Sequence, residues 1–368
     1  MTTQLIGARI RALREERKLS QEDLASMFGF KDRQTVSAIE NGERRVSAEE
    51  LILAVEKLGQ PLDYFTNPFI LVGEGKFSWR QTNVGALRLD AYERSAGRWI
   101  AAFRAIAPQV GRATPLLRRA LGLTRQSSFE EAMATGERFV TEFKLGDIPA
   151  TRLADVMERE LGVLVLMVDT TEGVSGAACR LPELDVVLIN RHEVAGRRHF
   201  DLAHELFHIL TWDAMPPQRL EDTSETGGNR IEQLANNFAS TVLMPIPVLD
   251  RFGDWSVIPA AGLAARLNAV AQELQVTSSA LKWRLVALDR LKQAVARAIP
   301  DAALRNNGRE QIDEVVPPLF SRPFMEVINL AIDAGRVSMR RAAGLLDLTI
   351  EDLRDLFAVH GLEPPAEL

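Results

Sequence analysis

His204 and His208 are the feature that most constrains the fold, because they stand four positions apart with Glu205 directly after the first. Residues at i and i+4 lie on the same face of an α-helix, so a helix brings both imidazoles to one point. Two imidazoles that converge in this way can share one zinc ion, with the glutamate leaning toward the open side of the metal. The sequence therefore predicts a metal-binding helix from His199 to Leu210.

Glu232 offers a third metal ligand, 24 residues after His208, in a predicted helix from Arg230 to Leu243. A catalytic zinc ion needs three protein ligands and one open position. Asn236 follows Glu232 at i+4, so it shares that helix face and can hydrogen-bond a ligating histidine. Taken alone, Glu232 could equally be a solvated carboxylate stabilised by its helix dipole. Beside the histidine pair it predicts a His₂Glu zinc site, although manganese or iron could fill similar ligands.

This ligand set predicts hydrolysis of a peptide bond. Zinc would lower the pKa of a water and polarise the scissile carbonyl, while Glu205 takes the proton and returns it to the leaving amine. Peptidases usually add one more donor for the tetrahedral oxyanion. The two tyrosines are far away in sequence, which leaves three candidates that could equally be solvated helix-start residues: Arg197, Arg198 and His199. The acidic segment Thr211–Asn229 could cover the metal.

Residues 19–42 have the apolar spacing of a helix-turn-helix. Ser20, with Asp23 three residues later, is placed to cap one helix, and a second helix is predicted from Asp32 to Asn41. In this motif the second helix lies in the major groove of DNA. The predicted base contacts are Arg33, Gln34 and Ser37, and the predicted phosphate contacts are Gln21, Arg44 and Arg45.

Charge leaves an alternative open for this N-terminal segment. Residues 1–66 contain ten basic and eleven acidic residues, and the whole chain has a net charge of −6. A small helical bundle used for dimerisation or partner docking would have the same balance. The basic charge is concentrated further along, since residues 76–125 contain ten lysines and arginines but only two acidic residues. A DNA-reading surface therefore depends on the helix-turn-helix pattern and not on overall charge.

Composition bounds the remaining possibilities. The chain has 368 residues, 46 % of them apolar, which indicates two or three globular domains. The single cysteine, Cys179, excludes an intramolecular disulfide and any cysteine-rich zinc site. The apolar runs are shorter than the roughly 20 residues that a membrane-spanning helix needs, and charge appears early at the N-terminus. We therefore expect a cytoplasmic protein without a membrane partner.

The pattern along the chain predicts a multidomain, mainly α-helical protein. Strands are predicted at Val163–Val168 and Leu184–Ile189, separated by a turn at Gly173–Gly176, and helices at Ala86–Ile106 and Pro115–Ala120. The predicted segments are a five-helix DNA-binding domain at 1–68, a helical basic linker region at 69–145, an α+β zincin-like metallopeptidase domain at 146–255 and a helical C-terminal region at 256–368.

Two of these segments resemble known families. Residues 5–66 resemble a Cro/C1-type (XRE) helix-turn-helix domain, through Leu-Ser-Gln-Glu-Asp-Leu-Ala from Leu19 and Ile-Glu-Asn-Gly ending at Gly42, with one residue inserted in the turn. Residues 146–250 resemble the ImmA/IrrE family of zinc metallopeptidases, although that family often has glycine where Phe207 stands. The matching segments are Gly173–Gly176, Val187–Asn190, Phe200–His208 and Glu232–Pro245.

The second resemblance implies a gluzincin-like endopeptidase with His204, His208 and Glu232 as zinc ligands and Glu205 as the general base. Members of that family commonly cleave a helix-turn-helix repressor in stress response or mobile-element control. The expected partners are thus a double-stranded DNA operator and a repressor protein, and operator geometry favours a homodimer. The peptidase could be latent until triggered. The alternative is a non-catalytic transcription regulator that uses the zincin-like domain as a sensor or dimerisation module.

Overall fold

The computed structural model of the chain describes residues 2–112, 118–222, 229–304 and 315–365. The chain divides into two compact units. The N-terminal unit consists of three segments, Met1–Lys76, Leu87–Ala113 and Met325–Leu368. The central unit consists of Phe77–Ala86 and Thr114–Phe324. Each unit is thus assembled from segments that are far apart in the sequence.

The described residues are mostly helical, with one small mixed sheet. The strands are β1 Lys76–Gln81, β2 Val163–Val168, β3 Val174–Arg180, β4 Asp185–Asn190 and β5 Leu220–Asp222. The helices are α1 Thr2–Glu16, α2 Gln21–Phe28, α3 Arg33–Glu40, α4 Ala48–Leu58, α5 Leu62–Thr66, α6 Ala86–Ile106, α7 Phe129–Glu142, α8 Leu153–Arg159, α9 Ala195–Thr211, α10 Arg230–Leu243, α11 Ile246–Asp250, α12 Ala260–Leu274, α13 Ser278–Ala287, α14 Gln293–Ala298, α15 Arg322–Asp333, α16 Met339–Leu346 and α17 Ile350–Val359. No helix of the described residues is both long and apolar enough to cross a membrane.

Local capping determines where the first helices begin and end. Ser20 and Ser47 each form a capping box with the acidic residue three positions later. The carboxylate of Asp32 accepts a hydrogen bond from the backbone N–H of Thr35 (3.1 Å) and so starts α3. Gly29 ends α2 with a φ of 70°, a conformation that glycine adopts without a Cβ penalty. These caps confirm the predicted helix-turn-helix elements.

The helices α1 to α5 enclose their own apolar core. Leu24, Val36 and Phe65 are buried in it, as the helical spacing requires. Leu62 does not contribute to this core, because its side chain is exposed. Tyr64 packs against the core from its edge. The core forms because each short helix buries one apolar face, which none could do alone.

A buried ionic cluster stabilises the N-terminal unit beside this core. The guanidinium of Arg9 is inaccessible to solvent and donates from Nε to Oε1 of Glu74 (2.9 Å). Its other nitrogens donate to the backbone carbonyls of Tyr64 and Ile70, both at 2.7 Å. Arg104 of α6 lies 3.5 Å from the same carboxylate. Every nitrogen of Arg9 thus has a partner, which offsets the cost of burying its charge.

The sheet of the central unit has the strand order β2-β4-β3-β1-β5 within the described residues. Strands β2 and β4 pair in parallel, β3 and β4 antiparallel, and β1 and β5 in parallel. Helix α9 packs on β3 and β4, and α10 packs on α9. Because α9 is covered by the sheet on one side and by a helix on another, its residues from Asp201 to Thr211 are all buried.

Several predicted elements are confirmed at their bounds: Ala86–Ile106, Val163–Val168 and Arg230–Leu243. Others need correction. The predicted turn Gly173–Gly176 is mostly the start of β3, and the predicted acidic loop Thr211–Asn229 contains β5. Residues 115–117 of the predicted helix Pro115–Ala120 lie outside the described residues, and its described part is not helical. The region 69–145 also contains β1, and its parts belong to different units.

Candidate metal centre

Two helices and one short strand bring two histidines and two glutamates together in the central unit. His204 and His208 lie on α9, Glu232 on the first turn of α10 and Glu221 on β5. One possible ligand atom from each residue lies within 4.8 Å of all the others. Asn229 caps α10 by accepting from the backbone N–H of Glu232 (3.2 Å), which holds that residue at the helix start. Three of the four are the predicted zinc ligands, and Glu221 is an addition.

The distances between these atoms suit a single metal ion. The Nε2 atoms of His204 and His208 are 3.1 Å apart. Oε2 of Glu232 lies 3.1 Å from Nε2 of His204, and Oε1 of Glu221 lies 3.3 Å from Nε2 of His208. A tetrahedral zinc site, with ligand bonds of about 2.0–2.2 Å, keeps its ligand atoms about 3.3–3.6 Å from one another. Nitrogen and carboxylate ligands at these separations fit zinc.

Glu205 lies next to this cluster on α9 and is completely buried. Neither of its carboxylate oxygens has a hydrogen-bond partner among the described residues. Gly176 of β3 lies beside it and approaches β4 closely, since a Cβ at that position would lie 2.9 Å from the carbonyl oxygen of Leu188. A buried carboxylate without partners is costly, so its retention here indicates a chemical task.

Burial and the nearby charges shift the titration of these groups. Burial, and after it the carboxylate of Glu221, raises the pKa of Glu205 to about 7. Burial alone would lower the pKa of His208, but Glu221 and Glu232 raise it to about 9. Burial disfavours the charged form of Glu232, yet hydrogen bonds with both histidines hold its pKa well below the usual range. The centre therefore favours positive charge at the point where the histidines meet.

A half-buried arginine accompanies the metal centre. Nε of Arg80, on β1, lies 3.2 Å from Oδ1 of Asp201, which is one turn before His204 on α9. Burial lowers the pKa of Arg80, but Asp201 and then Glu205, Glu221 and Glu232 raise it above the ordinary value. The guanidinium therefore stays charged within the field of these carboxylates.

Asn236 and a cavity complete the surroundings. The Nδ1–H of His204 donates to Oδ1 of Asn236 (3.0 Å), which leaves Nε2 with a lone pair for a metal. This is the contact that the i+4 spacing from Glu232 predicts. A cavity of about 640 Å³ opens beside the centre, lined in part by Arg80, Asp201, Asn236 and Trp283. Its volume lies in the range of small-ligand and peptide-side-chain sites.

The three predicted oxyanion donors have other partners. Nδ1 of His199 pairs with the carbonyl of Gln275 (2.9 Å). Arg198 donates to the carbonyl of Glu193, and Arg197 lies 3.7 Å from the carboxylate of the same residue. Sequence reasoning did not single out Glu221, Arg80 or Asp201. Glu221 stands in the acidic segment that was expected to be able to cover the metal, and Asp201 lies on the buried face of α9. Arg80 carried no local signal, because β1 and β5 reach the centre through pairing across about 140 residues.

The predicted DNA contacts lie at the start of α2, on α3 and in the segment that follows α3. Arg33 and Gln34 are exposed at the start of α3, Ser37 is half-buried one turn later, and Arg45 is exposed after the helix. Gln21 begins α2 and donates to the carboxylate of Glu40 (2.9 Å). Arg44 pairs with Glu50 (2.7 Å) and lies over the ring of Phe30. The first four side chains are thus more available to DNA than Gln21 and Arg44.

Comparison with known proteins assigns the class of both segments. Residues 10–65 match the model of a helix-turn-helix family, and residues 158–285 match the model of the IrrE N-terminal-like domain, a metallopeptidase family. The chain therefore joins an XRE-type helix-turn-helix domain to an ImmA/IrrE-type metallopeptidase-like domain, as the resemblance predicts. No curated protein matches the chain.

Among solved structures, the apo form of the competence regulator ComR from Streptococcus vestibularis is similar at 12 % identity. The match covers 98 % of this chain and 100 % of that chain, with a TM-score of 0.17. A similarity this low does not establish a shared overall fold.

Proposed function

We propose that the chain is a DNA-binding transcription regulator whose central unit is a zinc-dependent endopeptidase. The observation that carries this proposal is the convergence of His204, His208 and Glu232 beside the unpaired carboxylate of Glu205. A structural zinc site would have no use for a buried carboxylate that neither binds the metal nor accepts a hydrogen bond. The matches to the two families support the same assignment.

We assign each residue around the metal one role in the reaction. Bound zinc would supply a Lewis acid for the scissile carbonyl and a water of lowered pKa. Glu205 would accept the proton of that water and return it to the leaving amine, and a pKa of about 7 suits a general base at neutral pH. Asn236 would hold the imidazole of His204 in the ligating tautomer. We assign stabilisation of the developing oxyanion to the Arg80 guanidinium in place of a tyrosine.

The substrate we propose is a partner repressor of helix-turn-helix type. The cavity beside the centre, lined by Arg80, Asp201 and Asn236, has room for side chains of a peptide. The DNA-binding domain of the same chain would bring the peptidase to the operator where such a repressor is bound. Arg33, Gln34 and Ser37 would read bases, Gln21, Arg44 and Arg45 would hold phosphates, and a homodimer would match a palindromic operator.

The first experiment measures the metal content of the purified chain and of His204→Ala by elemental analysis. We expect about one zinc per chain in the unaltered protein and none in the variant, because the variant loses one of three ligands. Absence of metal in the unaltered protein after zinc is supplied would refute the metallopeptidase proposal. Cleavage of a cognate repressor that survived Glu205→Gln would refute the assigned general base.

The DNA-binding half is tested separately by the double substitution Arg33→Ala and Gln34→Ala. Operator discrimination should be lost, because each good base contact contributes about 1–3 kcal/mol, while zinc content stays the same. Affinity is measured on operator and scrambled duplexes at one salt concentration, since phosphate contacts dominate non-specific binding. Unchanged discrimination would contradict the assignment of α3 as the recognition helix.

A second candidate function is a regulator without turnover, which uses the central unit as a metal-dependent sensor or dimerisation module. The presence of Glu221 at the cluster favours it, because a fourth protein ligand would leave no open position for catalysis. Zinc binding without cleavage of any helix-turn-helix repressor, by either the unaltered chain or a Glu221 variant, would decide for this candidate.

A further inference from the structure

We propose that Glu221 is a fourth protein ligand of the metal, so that the described conformation is a closed centre that becomes a peptidase only when Glu221 leaves. This inference rests on the proposed function, since it needs a metal at the same histidines. According to this proposal, the position of the Glu221 carboxylate on β5 determines whether the enzyme is latent or active.

Glu221 and Glu232 lie at similar distances from the two histidines. The two oxygens of Glu221 lie 3.3 Å from Nε2 of His208 and 3.8 Å from Nε2 of His204. The oxygens of Glu232 lie 3.6 Å and 3.1 Å from the same two nitrogens. The two glutamates therefore flank the histidine pair in nearly equivalent ways. Nothing in the geometry distinguishes the predicted ligand, Glu232, from Glu221.

The negative charge of Glu221 is buried near the two histidines. The side chain of Glu221 is only 5 % exposed, and its Oε2 atom has no hydrogen-bond partner among the described residues. A buried carboxylate requires a compensating charge. Arg80 is already paired with Asp201 at 3.2 Å. A divalent ion at the two histidines would supply the positive charge that the buried carboxylate of Glu221 needs.

Strand β1 holds Glu221 in this position. The hydroxyl of Ser78 donates to the carbonyl of Gln218 (2.7 Å) and lies 3.1 Å from Oε1 of Glu221. The backbone N–H of Trp79 donates to the carbonyl of Arg219 (2.8 Å), which sets the register of β5 on β1. The pairing of β5 with β1 and the contact with Ser78 thus fix the position of Glu221 near the histidines.

The same strand can release Glu221 without unfolding the centre. Strand β5 has three residues and lies at the edge of the sheet, where β1 is its one neighbouring strand within the part of the chain that the structure describes. Short edge strands with few backbone hydrogen bonds open locally at a small fraction of the global stability. His204, His208 and Glu232 would stay in place on α9 and α10, which pack against each other. Loss of the β5 contact would therefore convert four protein ligands into three and open one position.

The test compares the full chain with Glu221→Ala after replacement of zinc by cobalt, whose visible spectrum reports coordination number. Azide is the probe for an open position. We expect the spectrum of the unaltered protein not to respond to azide and that of the variant to respond. Zinc affinity, measured by competition with a chelator, should fall about tenfold or more in the variant. If the variant cleaves a repressor, its rate should exceed that of the unaltered chain.

Asp213→Asn is the matched control, because this carboxylate lies in the same acidic segment but is 88 % exposed and pairs with Arg180. It should change neither the spectrum nor the affinity. Glu221→Gln is a second variant that keeps the side-chain size, in case the alanine variant does not fold. Equal azide responses and equal zinc affinities in the unaltered chain and both Glu221 variants would overturn the proposal while leaving the metal centre intact. No metal in the unaltered chain would instead refute the proposed function, and this inference with it.

Discussion

Two of the buried ionic clusters among the described residues are arranged in opposite ways. In the N-terminal unit, Arg9 meets Glu74 and two backbone carbonyls, so that all of its nitrogens are hydrogen-bonded. In the central unit, both oxygens of Glu205, Oε2 of Glu221 and Nδ1 of His208 have no hydrogen-bond partner among the described residues. One cluster is complete as it stands, and the other is incomplete.

This difference separates a structural cluster from a functional one. Burying a charge costs several kcal/mol unless partners satisfy it, and native proteins satisfy nearly all buried polar groups. A complete cluster contributes to stability or to the uniqueness of the fold. An incomplete one lowers stability and is retained where it binds a ligand or performs chemistry. Substitutions in the metal centre should therefore lower activity, whereas substitutions around Arg9 should lower stability.

Glu205→Gln should have the largest effect. Loss of a general base lowers a rate by about 10²–10⁴-fold, so cleavage of a repressor should fall by that factor. The free energy of unfolding should stay the same or rise, because a neutral amide is less costly to bury than an unpaired carboxylate. Cleavage assays and urea denaturation measure both. A marked loss of stability with cleavage retained would mean that Glu205 has a structural role and not a catalytic one.

Arg9→Met should act on stability alone. Removing one partner of a buried ion pair typically costs 3–5 kcal/mol, since Glu74 would stay buried beside only Arg104. The N-terminal unit should unfold at lower denaturant concentration, with zinc content unchanged. Arg11→Met is the control, because its pair with Glu15 is exposed and such pairs contribute about 0–1 kcal/mol. Equal effects of the two variants would show that the buried cluster has no special role.

Glu158 offers an intermediate case, because this half-buried carboxylate on α8 accepts a hydrogen bond from the backbone N–H of Val165 (3.4 Å). Burial raises its pKa to about 7, above the unfolded value. Its contribution to stability is therefore present at low pH and lost as pH rises from about 4.5 to about 7. Glu158→Gln should remove a decrease on the order of 2 kcal/mol between pH 5 and pH 8. Identical pH profiles of unfolding for both proteins would contradict this.

Asp32→Ala should have the smallest effect, confined to the helix-turn-helix. Loss of an N-cap costs about 1 kcal/mol, because the N–H of Thr35 loses its acceptor. We expect a small decrease in the melting temperature of the N-terminal unit and no change at the metal centre. Glu43→Ala, at an exposed position after α3, serves as the control. A variant indistinguishable from this control would mean that the Asp32 cap does not stabilise α3.

The sequence predicts what is encoded within a few residues. The capping residues of α2, α3 and α4 are local, and so are the i, i+4 spacings that place His204, His208 and Asn236. Strand β3 was not predicted, because Val174–Arg180 is rich in small residues and buried throughout, so it lacks both β-propensity and alternation. Glu221 and Arg80 reach the centre only through strand pairing, which short-range patterns do not report.

The alternation of side chains along β1 limits where the chain can gain or lose residues. Its side chains alternate, with Ser78 and Arg80 directed to Glu221 and Asp201, while the rings of Phe77 and Trp79 stack at 5.2 Å on the other face. Removal of a single codon within the strand would exchange these faces and place an indole where the metal centre needs a hydroxyl or a guanidinium. Insertions or deletions should therefore be tolerated before or after these six residues, and not between them.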